Sequence, residues 1–283
     1  MLLRMSIKMG GLQSVSFNSL RAYRRNIIIS CLKGLEYRFG IIYILIEAII
    51  PVTAMFFLWQ AIYQDGREIG DYGFNQMITY YAFARIINYL IWFPMDWKMN
   101  DLVNQGKLSP LLSKPVDIQG LYFSEMIGDR IINFVLGCIP LFIMAFLFRD
   151  YLSFNTDPIQ IFFGLVSICL ACVLSFLLAW LVGCYVFWVS NIFSVLFVKE
   201  LIVMIFAGVF FPIDILPWGL ANFISLTPFP YLAFFPIKII TVSIETSSLM
   251  EGLLLQIIWI VILFVLGRIA WKMGLKKYVE AGG

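Results

Sequence analysis

The chain has 283 residues, 61% of them hydrophobic and 13% charged, with a formal net charge of +3 and a mean hydropathy of +0.91. A soluble domain of this length carries about a quarter charged residues, so the composition excludes a sizeable water-soluble portion and reads as one integral membrane domain over residues 1–283. No histidine is present, which removes the commonest metal ligand and general base, and neither a bound metal nor a nucleic-acid partner is expected.

In chain order, the first element is a basic amphipathic helix over 15–38. Ile28, Cys31, Leu32, Leu35 and Phe39 recur at helical spacing, and Arg21, Arg24, Arg25, Lys33 and Glu36 take much of the remainder. That pattern suits a helix lying on the cytoplasmic leaflet; an ordinary cytoplasmic lead-in is the alternative. No cleavable signal pattern precedes it, because the first long apolar run starts near Phe39, too late and too long.

A bilayer core of about 30 Å needs about 20 apolar residues in a helix. The runs Phe39–Ala61, Phe74–Pro94, Gly120–Phe148 and Ile159–Val189 meet this, as does Leu253–Trp271 near the end. The fourth run would extend about 46 Å as a helix, so it must tilt or protrude. Between it and the last run, Leu201–Phe211 with part of the preceding stretch reads as a fifth span, broken from what comes before by Lys199 and Glu200. The expected fold is therefore all-α, with six transmembrane helices. Cys169 and Cys172 match C-x-x-C inside the fourth run, with no charge or histidine nearby, and read as small packing residues.

The basic residues orient the chain. Six spans place on one side Arg4, Lys8, Arg21, Arg24, Arg25, Lys33, Arg38, Lys98, Lys107, Lys114, Arg130, Lys199, Arg268, Lys272, Lys276 and Lys277. The other side receives only Arg67, Arg149 and Lys238. Both termini are thus expected in the cytoplasm, and an odd number of spans would strand the basic tail outside. Glu125, Asp129 and Arg130, near the inner end of the third span, read as interfacial.

Two charges fall within spans, Glu47 in the first and Arg85 in the second, at similar depth. A charge at mid-bilayer costs about 2.5 to 3.5 kcal/mol on insertion scales and faces a partner or a wet cavity. They read as a pair lining the substrate path, or as a pair that fixes how the two spans pack. Glu47 also supports a rival function, an ion-driven secondary transporter, although the internal repeats common in such carriers are not evident. A lipid-modifying enzyme would need clustered acids at a membrane face. Asp65, Glu68 and Asp71 are the only outer cluster, Arg67 sits inside it, and nothing there resembles a catalytic set.

The stretch FFPIDILPWGLANFISLTPFPYLAFFPIKII, Phe210–Ile240, is nearly as apolar as a span yet holds Pro212, Pro217, Pro228, Pro230 and Pro236. Each proline removes a backbone donor and clashes with the preceding turn of a helix interior. Irregular backbone at membrane depth survives only where protein or water satisfies it. The stretch therefore reads as an outer re-entrant pair of short helices over 210–240, with Pro217 and Pro228 as first-turn residues and Trp218, Phe223, Phe229 and Tyr231 near the interface.

Three features together resemble the membrane subunit of a type-2 ATP-binding-cassette (ABC) exporter. They are the order of elements, the segment AGVFFPIDILPWGLANFISLTPFPYLAFFP (Ala207–Pro236), and QGKLSPLLSKPVD (Gln105–Asp117) with the tail GLKKYVEAGG (Gly274–Gly283). The last two resemble the branch with a Gly-x-Leu…Leu-x-Lys/Arg-Pro cytoplasmic motif. The resemblance implies that Pro212, Pro217, Trp218, Pro228 and Pro230 belong to an outer gate. It also implies that 97–115 holds a coupling segment docking on the ATPase through Met99, Asp101, Leu102, Asn104, Gln105, Gly106, Lys107 and Leu108. No G-x-x-x-x-G-K-S/T phosphate loop is present, so the chain is expected not to be an enzyme itself. ATP and magnesium would bind two copies of a separate ATPase, and a second permease chain, identical or related, would complete the path. The implied setting is a prokaryotic plasma membrane. The implied activity is export of an amphiphilic, peptide or lipid-like substrate.

Overall fold

The computed structural model describes residues 17–36, 38–64, 70, 72–147, 149–152, 157–189, 192–242 and 244–280. Within these, the side chains of 17–19, 35–36, 38–45, 47–48, 141, 144, 147 and 279–280 lie outside the described residues. Every regular element among the described residues is helical. In order they are α1 (Phe17–Glu36), α2 (Arg38–Tyr63), α3 (Phe74–Ile91), α4 (Met95–Asn104), α5 (Leu108–Leu112), α6 (Ile118–Leu147), α7 (Pro158–Gly183), α8 (Phe193–Phe206), α9 (Trp218–Ser225), α10 (Phe234–Thr241) and α11 (Thr246–Glu280). Among the described residues, Pro158–Phe187 and Thr246–Tyr278 are long and apolar enough to cross a membrane.

Local signals place several helix starts. Gly73 precedes α3, and its N–H donates to the Gln76 side chain at 2.9 Å. Asp157 caps α7 by accepting from the Ile159 N–H at 3.0 Å, with Pro158 at the first helical position, where its missing donor is no loss. The ends have tertiary causes. α7 stops at Gly183, where a Cβ would lie 3.0 Å from both Asp96 Cα and Met99 Cβ. The chain then tightens into a 3₁₀ turn at Cys184–Phe187. The fourth span expected to Val189 is therefore an α-helix only to Gly183.

The fifth span also differs from its expectation. α8 runs Phe193–Phe206, starting before Lys199 and Glu200 and ending before Phe210. The chain turns at Gly208, whose φ of +76° is costly for other residues; a Cβ there would meet Phe234 Cβ at 2.8 Å and the Tyr80 hydroxyl at 2.9 Å. α11, at 35 residues, would extend about 50 Å and reaches well beyond Trp271.

α1 packs along α6. Asn26 donates to Leu121 O at 2.9 Å and to Ser124 Oγ at 3.0 Å, and a Cβ on Gly128 would meet Ile27 O at 2.4 Å. Its residues Leu20, Ile28, Ile29 and Leu32 point outward and are exposed. So Ile28 and Leu32, expected on one apolar face with Cys31, are split from it: Cys31 donates to Gly128 O at 3.3 Å on the α6 side.

At the centre, Trp180, Tyr80, Phe176, Met77 and Ile87 are fully buried. The one side-chain amide there is matched. Gln256 donates to Ser167 O and Tyr231 O, each at 2.9 Å, and accepts from Ser167 Oγ at 3.0 Å, as buried polar groups require.

Candidate functional site

α3 ends in the middle of the protein, at the bend Trp92–Phe93–Pro94. Its last carbonyls would be orphans, and three side chains from other helices take them. Arg130 on α6 donates to Tyr89 O at 2.9 Å and to Trp92 O. Cys172 donates to Leu90 O at 3.6 Å, and Ser175 to Ile91 O. The C-x-x-C spacing thus has a packing role at Cys172, and all five cysteines are free thiols. Arg130 is 7% exposed and also pairs with Asp129. A cation at a helix C-terminus is favourable against the dipole, and Arg130 is buried there within the protein.

Beside this bend lies a cavity of about 510 Å³, within the size range of ligand pockets. Arg85, Tyr89, Trp92 and Phe93 form one wall, Arg130 and Asn133 a second, and Ser175 and Leu178 a third. Lys199, Glu200 and Val203 of α8 close the fourth, with Val209 and Leu232 from the segments flanking α9. The lining mixes cations, an acid, amides and aromatic rings. Arg85 lies with its guanidinium carbon 5.5 Å from the Tyr89 ring centre. The other half of the expected pair, Glu47, has its side chain outside the described residues.

The sequence reading missed the charges that matter most here. Asp96, in the first turn of α4, is 0% exposed. Its Oδ2 lies 2.6 Å from Lys199 Nζ, and the same ammonium lies 2.7 Å from Glu200 Oε1. Burial pushes the Asp96 carboxyl up from its usual value, while the Lys199 ammonium and the Trp97 N–H pull it back. The sequence analysis reads Lys199 and Glu200 as a break in an apolar run, and Lys199 also as one of the orienting cations. A charge inside such a run is itself a signal, and that signal was available.

The coupling segment is divided. Met95, Met99 and Leu108 are 0% exposed and Leu102 is 9% exposed, and α4 packs against α7 and the 3₁₀ turn that follows it. Within this chain the spacing of Met99, Leu102 and Leu108 puts them on the face that α4 and α5 turn to the bundle. Asp101, Asn104, Gln105, Gly106 and Lys107 form the exposed edge. Gly106 has φ +66° and open space where a Cβ would point. Lys98 pairs with Glu125 at 2.9 Å, and Ser109 bonds Tyr278 at 2.9 Å, tying the segment to α6 and α11.

On the far side of the cavity, the prolines sit where no N–H is needed. Pro212 precedes the 3₁₀ turn Ile213–Ile215, Pro217 caps α9, and Pro236 falls in the first turn of α10. Pro228 and Pro230 lie in the turn between the two helices, so Pro228 is not the first-turn residue expected. α10 is buried, with Ile237 and Ile239 at 0%. α9 is outside it, and Trp218 is 82% exposed. Lys238 holds Asp214 at 2.7 Å, and Tyr72 donates to the same carboxylate at 3.2 Å.

Among the described residues no cluster of acids and cysteines could hold a metal. A search of curated proteins found no match. The ABC-2 family transporter protein family matches residues 49–282, from within α2 through the whole of α11. A match over that much of the chain shows its family: this protein belongs to the ABC-2 family transporter proteins.

Proposed function

We propose that this chain is the half-path permease of an ATP-driven exporter in a prokaryotic plasma membrane. Six spans, α2, α3, α6, α7, α8 and α11, cross the bilayer with both termini in the cytoplasm. α1 lies along the inner leaflet, and α9 and α10 form the outer re-entrant pair. Two copies of a separate ATPase, carrying ATP and magnesium, dock on the exposed edge at Asp101, Asn104, Gln105, Gly106 and Lys107. A second permease chain, identical or related, completes the path.

The observation that carries this reading is the position of the cavity. One wall, α8, is ion-paired to α4, and another part, Leu232, belongs to the segment with the prolines. A space of that kind, between a docking segment and an outer plug, is what alternating exposure of a substrate requires. Its aromatic and polar lining suits an amphiphilic, peptide or lipid-like molecule, bound by stacking and a few polar contacts.

The test is purification of the permease from its native membrane in mild detergent, with mass spectrometry of what accompanies it. A cassette ATPase and a second permease are expected in the eluate. Absence of any ATPase, even after crosslinking through cysteines placed at Asn104 or Lys107, would remove the docking assignment and favour ion-driven transport through Glu47.

A further inference from the structure

α8 is attached to the rest of the chain in an unusual way. Of its residues only Leu196 is buried. Phe193, Phe197, Val198, Leu201 and Ile205 are all exposed. Its outer end is fixed where the Phe234 N–H donates to Ala207 O at 2.9 Å. Its inner half meets α4 at two places. The Trp97 and Phe193 rings touch edge to face at 5.3 Å, and Lys199 meets Asp96 at 2.6 Å. α8 therefore resembles a strut, held by α10 at one end and by α4 at the other.

We propose that the Asp96–Lys199 ion pair is the contact through which a displacement of α4 reaches α8 and so moves the cavity wall. The inference rests on the docking reading above and adds the residues that carry the motion inward. Three observations support it. Asp96 stands at the start of the segment whose far edge is exposed for docking. Lys199 and Glu200 line the cavity, so any shift of the ammonium changes the surface a substrate meets. The pair is shielded from water, with 0% and 13% side-chain exposure.

The last point decides between this contact and the ring contact beside it. Apolar surfaces slide over one another at little cost. Separating the pair leaves Lys199 with Glu200 but strands Asp96, 0% exposed, as an unpaired charge in a low dielectric, which is strongly unfavourable. The pair thus resists both pulling and shear, and the two helices move together. Rigid elements moving about such contacts are the usual means of carrying a conformational change. α4 is itself firmly seated, with Met95 and Met99 fully buried, so its motion is that of a body and not of a loose loop.

The test uses the permease–ATPase complex and amide hydrogen exchange, read separately on peptides covering 95–104 and 193–206. In the wild type, ATP with vanadate is expected to change exchange in both. Asp96→Asn and Lys199→Met cut the pair from either side. In each, the response of 95–104 should persist while that of 193–206 is lost, and Asp96→Glu should restore it. Retention of the 193–206 response in either severed variant overturns the proposal. So does failure of both severed variants to assemble with the ATPase, which would make the pair a structural one. A wild-type complex in which 95–104 does not respond refutes the docking reading itself, and the proposal with it.

Discussion

The two ends of the bundle hold themselves together by different chemistry. The end that carries α4 uses charge: Asp96 with Lys199 and Glu200, Lys98 with Glu125, Arg130 with Asp129, and Arg268 with Asp117 at 2.7 Å. The segment from Pro212 to Thr241 uses almost none. Its one ion pair among the described residues, Lys238 with Asp214, is 32% and 38% exposed. Its backbone is satisfied by short turns and by Gln256 of α11, with prolines placed where no N–H is needed. The contrast lies in the partners at hand. Buried charges persist at the α4 end because each meets an opposite charge, with Asp96 at 0% and Arg130 at 7% exposure. The proline segment has few charges and relies on neutral hydrogen bonds and close packing.

Substitutions can break that contrast. The largest effect is expected at the α4 end: Lys199→Ala leaves Asp96, 0% exposed, as a buried charge without its cation and should cost about 4 kcal/mol, read as a large drop in melting temperature in detergent. The outer segment should be nearly as sensitive, but to volume. A Cβ on Gly252 would lie 2.1 Å from the Phe235 ring, so Gly252→Val should cost about 3 kcal/mol by overpacking, with α10 the first region to gain hydrogen exchange. Arg130→Met removes the donors to Tyr89 O and Trp92 O and should cost about 2 kcal/mol, with lost protection at the end of α3. Lys238→Met, on the half-exposed outer pair, should change the melt by no more than about 0.5 kcal/mol. Equal sensitivity of Lys238 and Lys199 would refute the division between the two ends.

What the sequence disclosed and what it hid divide along the same line. Starts written in neighbouring residues, such as Asp157–Pro158 for α7 and Phe74 after Gly73, were legible because the cap and the helix are adjacent. The ends of α3, α7 and α8 were not. They depend on Arg130, on the approach of α4 to Gly183, and on Phe234 packing over Gly208, none of which is near in sequence. The prolines marked two short helices correctly in kind, because their constraint is local, while Pro228 was misplaced by a few residues. In the coupling segment, periodicity separated an apolar face from a polar one. It could not say that Met99 and Leu102 face their own bundle, because a face has the same spacing whatever covers it. Lys199 was legible as an anomaly, but its partner Asp96 was not.

The side chains that complete the proline segment also set an order of manufacture. Tyr231 O waits for Gln256 of α11, and Ile244 exchanges hydrogen bonds at 3.1 Å with Gln160 of α7. α7 precedes this segment on the ribosome and α11 follows it. A nascent chain that has emerged only as far as Ile244 can therefore pair that residue with Gln160 but must leave Tyr231 O without its Gln256 donor. The proline segment is thus completed only once α11 has been made, and a chain halted before Gln256 leaves it unfinished.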